Sequence, residues 1–301
     1  MNAGKIEVER AVEPEVNETF GKYKLIKKLP SGMAEVFLAE QELFEGISRK
    51  VVIKRLPPTF PSEFRQMFLD EAKIMSSLSN PYIVQIYDWG QYNGSYFICM
   101  EYVEGYSLKD IIERRGIIAP RTAARYAIQI CEALDIAHKN NLIHRDIKPA
   151  NILMEKKTNR AMISDFGIAR VVRGEDLQAG MIVGTPLYMS PEQAMGKQLD
   201  ARTDIYAVGC VLFLLAAGEL PVRKEDGVRT VMRKAKVPES FFIRKPSEVN
   251  PAIDLDLEKI ILKATAANRD ERYKDCGQFA RHLMWYKEKH FKEEIAPPED
   301  L

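Results

Sequence analysis

An α+β protein in two lobes is what the 301-residue sequence predicts: a small, mostly β N-terminal lobe holding one helix, then a larger, mostly α C-terminal lobe. Three observations predict it. Strand-like segments dominate from residue 23 to about 103, with a single helical stripe among them. Beyond that point the apolar spacing turns helical. Two short strand signals, "NILME" and "AMISDF", stand among these later helices, separated by the turn-like "KKTNR".

Taken in order, residues 1–19 mix Glu, Asn and Pro without periodicity and read as a flexible arm. "RKVVIKRL" is β-branched and "SYFICMEYV" is a long apolar run, each bounded by turn residues, so both are expected strands. Between them Phe64, Met67, Phe68, Ile74, Met75 and Leu78 recur at helical spacing and mark an inward face. Later, Ala127, Ile130, Cys131, Leu134 and His138 trace one helical stripe. "DIYAVGCVLFLLAAG" reads as a helix apolar nearly all round, and its run at 207–217 is too short to span a bilayer. The sequence has no internal repeat.

Composition narrows the function classes. With 46% hydrophobic and 29% charged residues the chain is an ordinary globular one. Its 44 Lys and Arg against 43 Asp and Glu argue against a nucleic-acid partner held by bulk positive charge. Cys99, Cys131, Cys210 and Cys276 form no C-x-x-C pair, so buried reduced thiols are expected, not disulfides or a zinc site. Lys5, Glu7, Glu9 and Arg10 stand where a signal peptide needs an apolar run. A cytoplasmic chain without a transmembrane segment is the expectation.

Three polar clusters carry chemistry. Glu71 falls on the inward stripe of its helix, and a buried carboxylate is costly unless paired. Lys54 shares a strand face with Val52 and is expected to point inward too, so a Lys54–Glu71 pair would hold an ammonium ready for an anion. "HRDIKPAN" at 144–151 sets five polar side chains directly after an apolar run, and "SDFG" at 164–167 follows a strand.

Together with "GTPLYMSPE" at 184–192, these clusters stand in the order and approximate spacing of the eukaryotic-type protein kinases. The chain resembles that family from about residue 23 to 285, and within it the bacterial serine/threonine kinases, which share "GTxxYMSPEQ" and "NILM…SDFGIAR". The resemblance implies a bilobal protein-kinase fold over 20–290, with an N-lobe of about 20–101, a hinge at 101–104 and a C-lobe at 105–290. An arm (1–19) and a tail (291–301) flank it. It implies transfer of the γ-phosphoryl group of ATP, with Mg²⁺ or Mn²⁺, to Ser/Thr hydroxyls of protein substrates in a signalling pathway. A homodimer is compatible with it. The alternative is a pseudokinase, a nucleotide-sensing scaffold with little transfer.

By the same resemblance Lys54 grips the α- and β-phosphates and Glu71 positions it. Asp146 accepts the substrate proton, Lys148 offsets charge on the γ-phosphoryl group, and Asn151 and Asp165 bind the metal. The ATP pocket would draw on Leu29, Gly32, Val36, Val52, Lys54, Met100, Glu101, Val103 and Leu153, with the backbone of Glu101 and Val103 bonding the adenine edge. Glu192 would pair with Arg272, and Asp204 would anchor the catalytic loop. Ile86, Met75, Phe166 and His144 match the family's stacked apolar column. Lys148 and Thr185 resemble serine/threonine rather than tyrosine kinases.

The pattern fails in two places. The family's G-x-G-x-x-G-x-V loop is here "LPSGMAEV", with Gly32 its one glycine and a span one residue short. Pro30 lacks an N–H, and Val52 narrows the adenine roof where the family has Ala, so weaker ATP binding with chemistry retained is expected. Between Arg170 and Gly184 there is no Ser, Thr or Tyr. The expectation is that Glu175 or Asp176 partly replaces a phosphate facing Arg145, or that the segment needs no such lock.

Overall fold

The computed structural model describes residues 15–31, 34–60, 62–166, 186–223 and 225–291, without the side chains of 15–17, 62–64, 67 and 71. They form two compact units. One holds Gln85–Tyr102 and the described residues up to Ser76; the other holds Ser77–Val84 and those from Val103 onward.

The first unit is one antiparallel six-stranded sheet in the order β1-β2-β3-β4-β6-β5, with one helix. Its strands are β1 (Glu15–Phe20), β2 (Tyr23–Leu29), β3 (Glu35–Phe44), β4 (Ile47–Leu56), β5 (Ile86–Tyr92) and β6 (Ser95–Glu101). Helix α1 (Ser62–Ser76) packs on β5 and β6. Side chains alternate across a strand, so register decides what shares a face. Phe37, Ile53 and Cys99 stand opposite one another on β3, β4 and β6, as do Leu25, Ala39 and Val51 on β2, β3 and β4. With Phe20, Tyr23 and Phe97 they make the buried core of this unit.

Two expectations change here. β1 begins at Glu15, inside the stretch read as an arm. It is an edge strand; among its described side chains Glu18 and Thr19 are exposed and Phe20 is buried in the core. Among the described side chains of α1, Phe68, Ala72 and Met75 are buried, whereas Ile74 is 40% exposed; Phe64 and Met67 lie outside the described side chains. Residues 68, 72 and 75 lie one above another on a helix, and the stripe's middle is an alanine.

The second unit contains a small sheet of β7 (Gly105–Ser107), β8 (Ile152–Glu155) and β9 (Ala161–Ile163) in that order, surrounded by helices. Segment 77–84, expected in the first lobe, belongs to this unit. Val84 N–H donates to Ile163 O, and Ile163 N–H to Tyr82 O. The helices are α2 (Leu108–Arg115), α3 (Pro120–Lys139), α4 (Pro191–Ala194), α5 (Arg202–Ala217), α6 (Gly227–Lys236), α7 (Pro246–Val249), α8 (Leu255–Ala264) and α9 (Cys276–His290).

Local sequence fixes their ends. Ser107 with Asp110, and Ser190 with Gln193, close capping boxes at α2 and α4. Asp226, Asp254 and Asp275 cap α6, α8 and α9. α5 is buried nearly all round, as its sequence predicts, and ends at Gly218 in the left-handed region (φ 84°). Of the α3 stripe, Ala127, Ile130, Cys131 and Leu134 are buried and His138 is half-buried, with the helix packed against α5 and α9. All four cysteines are buried free thiols. No helix among the described residues is long and apolar enough to cross a membrane.

Candidate active site

On the first unit, the sheet face opposite the core gathers the residues expected to meet a nucleotide. Val36, Lys54 and Ile98 stand opposite one another, the next row is Leu38, Val52 and Met100, and Leu29 faces Val36 across β2 and β3. Leu29, Val36 and Val52 are half-buried, and Lys54 is buried among them. The result is an aliphatic surface with one ammonium set into it.

The loop joining β2 to β3 is held by Ser31 Oγ–H donating to Ala34 O at 2.7 Å. Gly32 and Met33 lie outside the described residues, as does the Glu71 side chain and so its pairing with Lys54. At the end of β6, Glu101 N–H donates to Gln85 O at 2.8 Å. The Glu101 N–H, expected to share in bonding an adenine edge, is thus engaged within the first unit.

On the second unit, the chemistry is assembled by a buried carboxylate. Asp204, at the start of α5, is fully buried, and accepts the backbone N–H groups of His144 and Arg145, each at 2.8 Å. His138 Nε2 lies 2.8 Å from the same carboxylate. Burial opposes ionisation of Asp204, but hydrogen bonding and charge from His138, with His144, hold it below the usual carboxylate range. These bonds sustain a left-handed backbone at Arg145 (φ 65°), which is costly for a residue with a Cβ.

His144 is fully buried, and burial holds it below the ordinary imidazole pKa. In its neutral form, Nδ1 accepts from Asp146 N–H at 3.2 Å and Nε2 donates to Ser164 O at 3.1 Å. Its ring also meets Phe166, centroid to centroid, at 4.6 Å.

Asp146 is thus fixed by its backbone. Its Oδ2 accepts from Lys148 Nζ at 2.7 Å and from Asn151 Nδ2 at 3.1 Å. Asn151 Nδ2 also donates to Asp146 O at 2.8 Å, while Asn151 O accepts both Ser164 N–H and Ser164 Oγ–H. Ser164 precedes Asp165, so "HRDIKPAN" and the strand end bearing Asp165 are stitched together. Asp165, like Arg145, has a left-handed backbone (φ 56°). Leu153 is half-buried in β8, opposite Ser107 and Met162, and Val103 is half-buried ahead of β7.

The neighbouring pair appears as expected. Arg272 Nη1 and Nη2 donate to Glu192 Oε1 and Oε2 at 2.7 and 2.9 Å, and both side chains are buried. Residues 167–185, with Glu175, Asp176 and Thr185, lie outside the described residues.

Sequence reasoning missed two supports. Gln193 Nε2 donates to Arg145 O at 2.9 Å, tying α4 to the catalytic loop. Lys234, fully buried on α6, donates to the carbonyls of Leu187 and Met189. The readable signal for Lys234 was its place three residues after Val231 on the inward face of an otherwise amphipathic helix.

The fold and this arrangement define a class. A model of the protein kinase domain matches residues 23–285, and the chain belongs to the protein kinase family. Among its relatives, serine/threonine-protein kinase PknB of Mycobacterium leprae is 36% identical over 265 residues, covering 84% of this chain and 41% of the relative. Serine/threonine-protein kinase PrkC of Bacillus subtilis is 38% identical over 259 residues, covering 84% and 38%. This chain therefore spans less than half the length of these curated relatives. The crystal structure of the Mycobacterium tuberculosis PknI kinase domain matches with a TM-score of 0.69 at 28% identity, over 89% of this chain and 98% of that one. The family read from the motifs is upheld.

Proposed function

We propose that the chain is a protein serine/threonine kinase, transferring the γ-phosphoryl group of ATP to Ser/Thr hydroxyls of protein substrates in a signalling pathway. The observation that carries this reading is the hydrogen-bonded set Asp146, Lys148 and Asn151 on a loop pinned by Asp204. Both side-chain donors take Asp146 Oδ2, which leaves Oδ1 as the oxygen that receives the substrate proton. Lys148, already beside that carboxylate, offsets charge on the transferring group.

Asn151 uses its amide nitrogen on Asp146, so its amide oxygen, with the Asp165 carboxylate, offers the hard donors that Mg²⁺ or Mn²⁺ takes. The bound ion supplies charge neutralisation on phosphate oxygens. On the first unit, Lys54 is the group for the α- and β-phosphates, with Glu71 positioning it. Leu29, Gly32, Val36, Val52 and Met100 cover the nucleotide, and the Glu101 carbonyl meets the adenine edge. Val103 and Leu153, both half-buried on the second unit, are the remaining residues assigned to the nucleotide. Cytoplasmic placement belongs to the same reading, in keeping with an ATP-dependent reaction and four buried thiols.

The test is transfer of radiolabelled phosphate from ATP with Mg²⁺ to a generic protein substrate, with Asp146→Asn as control. Labelled phosphoserine or phosphothreonine that disappears in the control supports the reading. ATP binding without any transfer would favour the scaffold alternative.

A further inference from the structure

Among the described residues Lys234 is the one lysine at 0% exposure; it supports the segment beside the site and carries none of the chemistry proposed there. Its Nζ donates to Leu187 O at 2.6 Å and to Met189 O, and sits over the rings of Phe241 at 4.1 Å and Tyr206 at 4.8 Å. A buried ammonium is costly, and burial pushes its pKa down to about 7, with the Cys210 thiol and Glu192 favouring the charge and Arg272 opposing it. A leucine at this inward position would carry no such cost, so the charge invites a reason beyond packing.

The carbonyls it holds give one. Leu187 and Met189 flank Tyr188 in the turn Pro186–Tyr188, immediately before the capped helix α4. From α4, Gln193 reaches Arg145 O, and Arg145 directly precedes Asp146. The short segment 186–190 is thus fixed at one end to the residue beside the base and at the other to α6. A polypeptide docked along this segment would have its register to Asp146 set by these two ties.

We propose that Lys234 is a positioning residue for the polypeptide substrate: by bracketing the carbonyls of Leu187 and Met189 it fixes the surface on which the chain bearing the acceptor hydroxyl lies. This rests on the kinase reading above. Removing the bracket frees two carbonyls and lets the segment spread among several conformations, which weakens peptide binding without altering the nucleotide.

The experiment compares the full chain with Lys234→Met, which keeps side-chain length and removes the donor. The peptide KM is expected to rise on the order of tenfold. The KM for ATP, and ATP hydrolysis without peptide, should stay within about twofold. Binding of the same peptide with alanine in place of its serine should weaken by the same factor, and amide exchange at residues 187–190 should quicken. If Lys234→Met does not fold, Lys234→Gln keeps one donor and should give an intermediate rise. Unchanged peptide affinity and exchange would overturn the proposal, as would peptide and ATP KM rising together. Wild-type protein that transfers no phosphate would remove the kinase reading alone, because alanine-peptide binding and amide exchange still judge the bracket.

Discussion

Replacing Arg272 by methionine tests the reasoning about this fold most severely. The five N–H donors of its guanidinium are all used: Nε on Ala266 O, Nη1 on Glu192 Oε1 and Arg202 O, Nη2 on Glu192 Oε2 and Ala267 O. The side chain is wholly buried, and Glu192 is 5% exposed. Methionine fills much of the same volume, so the loss is electrostatic. Among the described residues Glu192 would keep only the Thr203 hydroxyl, at 3.0 Å, as a side-chain donor. Breaking a buried pair this way costs about 3–5 kcal/mol. For a chain of this size that lowers Tm by roughly 10 °C, at about 2–4 °C per kcal/mol.

The pH dependence gives a second handle. Burial opposes ionisation of Glu192, but the hydrogen bonds and charge of Arg272 outweigh it and hold the carboxyl below its ordinary 4.5. A carboxyl so depressed contributes stability above its unfolded pKa and loses it as pH falls through the folded value. In Arg272→Met burial prevails, and the Glu192 pKa rises instead. Its protonation on acidification then relieves the buried charge, so the deficit against wild type should be largest near pH 8 and shrink toward pH 5. Urea unfolding across that range measures it. A loss under about 1 kcal/mol, the level of an exposed pair, would refute the argument. So would a Glu192→Leu/Arg272→Met double variant whose loss equals the sum of the two single losses, since partners in contact do not add.

Three further outcomes are expected. Asp146→Asn should lower phosphoryl transfer on the order of 10²–10⁴ while leaving ATP binding by calorimetry and the unfolding midpoint unchanged. Asp204→Asn offers one amide oxygen where the N–H groups of His144 and Arg145 now each have a carboxylate oxygen; it should cost about 2–4 kcal/mol in urea unfolding and lower kcat as well. Pro30→Gly with Ala34→Gly restores backbone freedom to the β2–β3 loop, and the KM for ATP should fall; equal KM values would count against the view that this loop weakens nucleotide binding.

What the sequence made legible was whatever lies within one short string. "HRDIKPAN" brings Asp146, Lys148 and Asn151 within five residues of each other, and the structure closes hydrogen bonds among those same three. Alternation alone put Lys54 on the face of Val52, but which residues of β3 and β6 would join them depends on pairing register, a property of two strands at once. The α1 stripe was misread at Ile74 because a scan weighted toward large apolar residues passes over Ala72. β1 was missed because "EVNETF", an edge strand rich in polar residues, has little hydrophobic pattern to show.

The supports of the site were hidden for a different reason. His138, Gln193 and Lys234 are polar residues whose partners stand 45 to 66 positions away, so nothing near them in the chain reveals what they hold. The left-handed backbones at Arg145 and Asp165 are the clearest case. Neither residue is glycine, and local preference would place both elsewhere. For Arg145 the conformation is held from outside the loop: Asp204 takes its N–H from α5, and Gln193 takes its carbonyl from α4. Strain at the residue before Asp146 is therefore supported by two helices that lie outside the string itself. That is why the catalytic string can be read from the sequence while the reason it keeps its shape cannot.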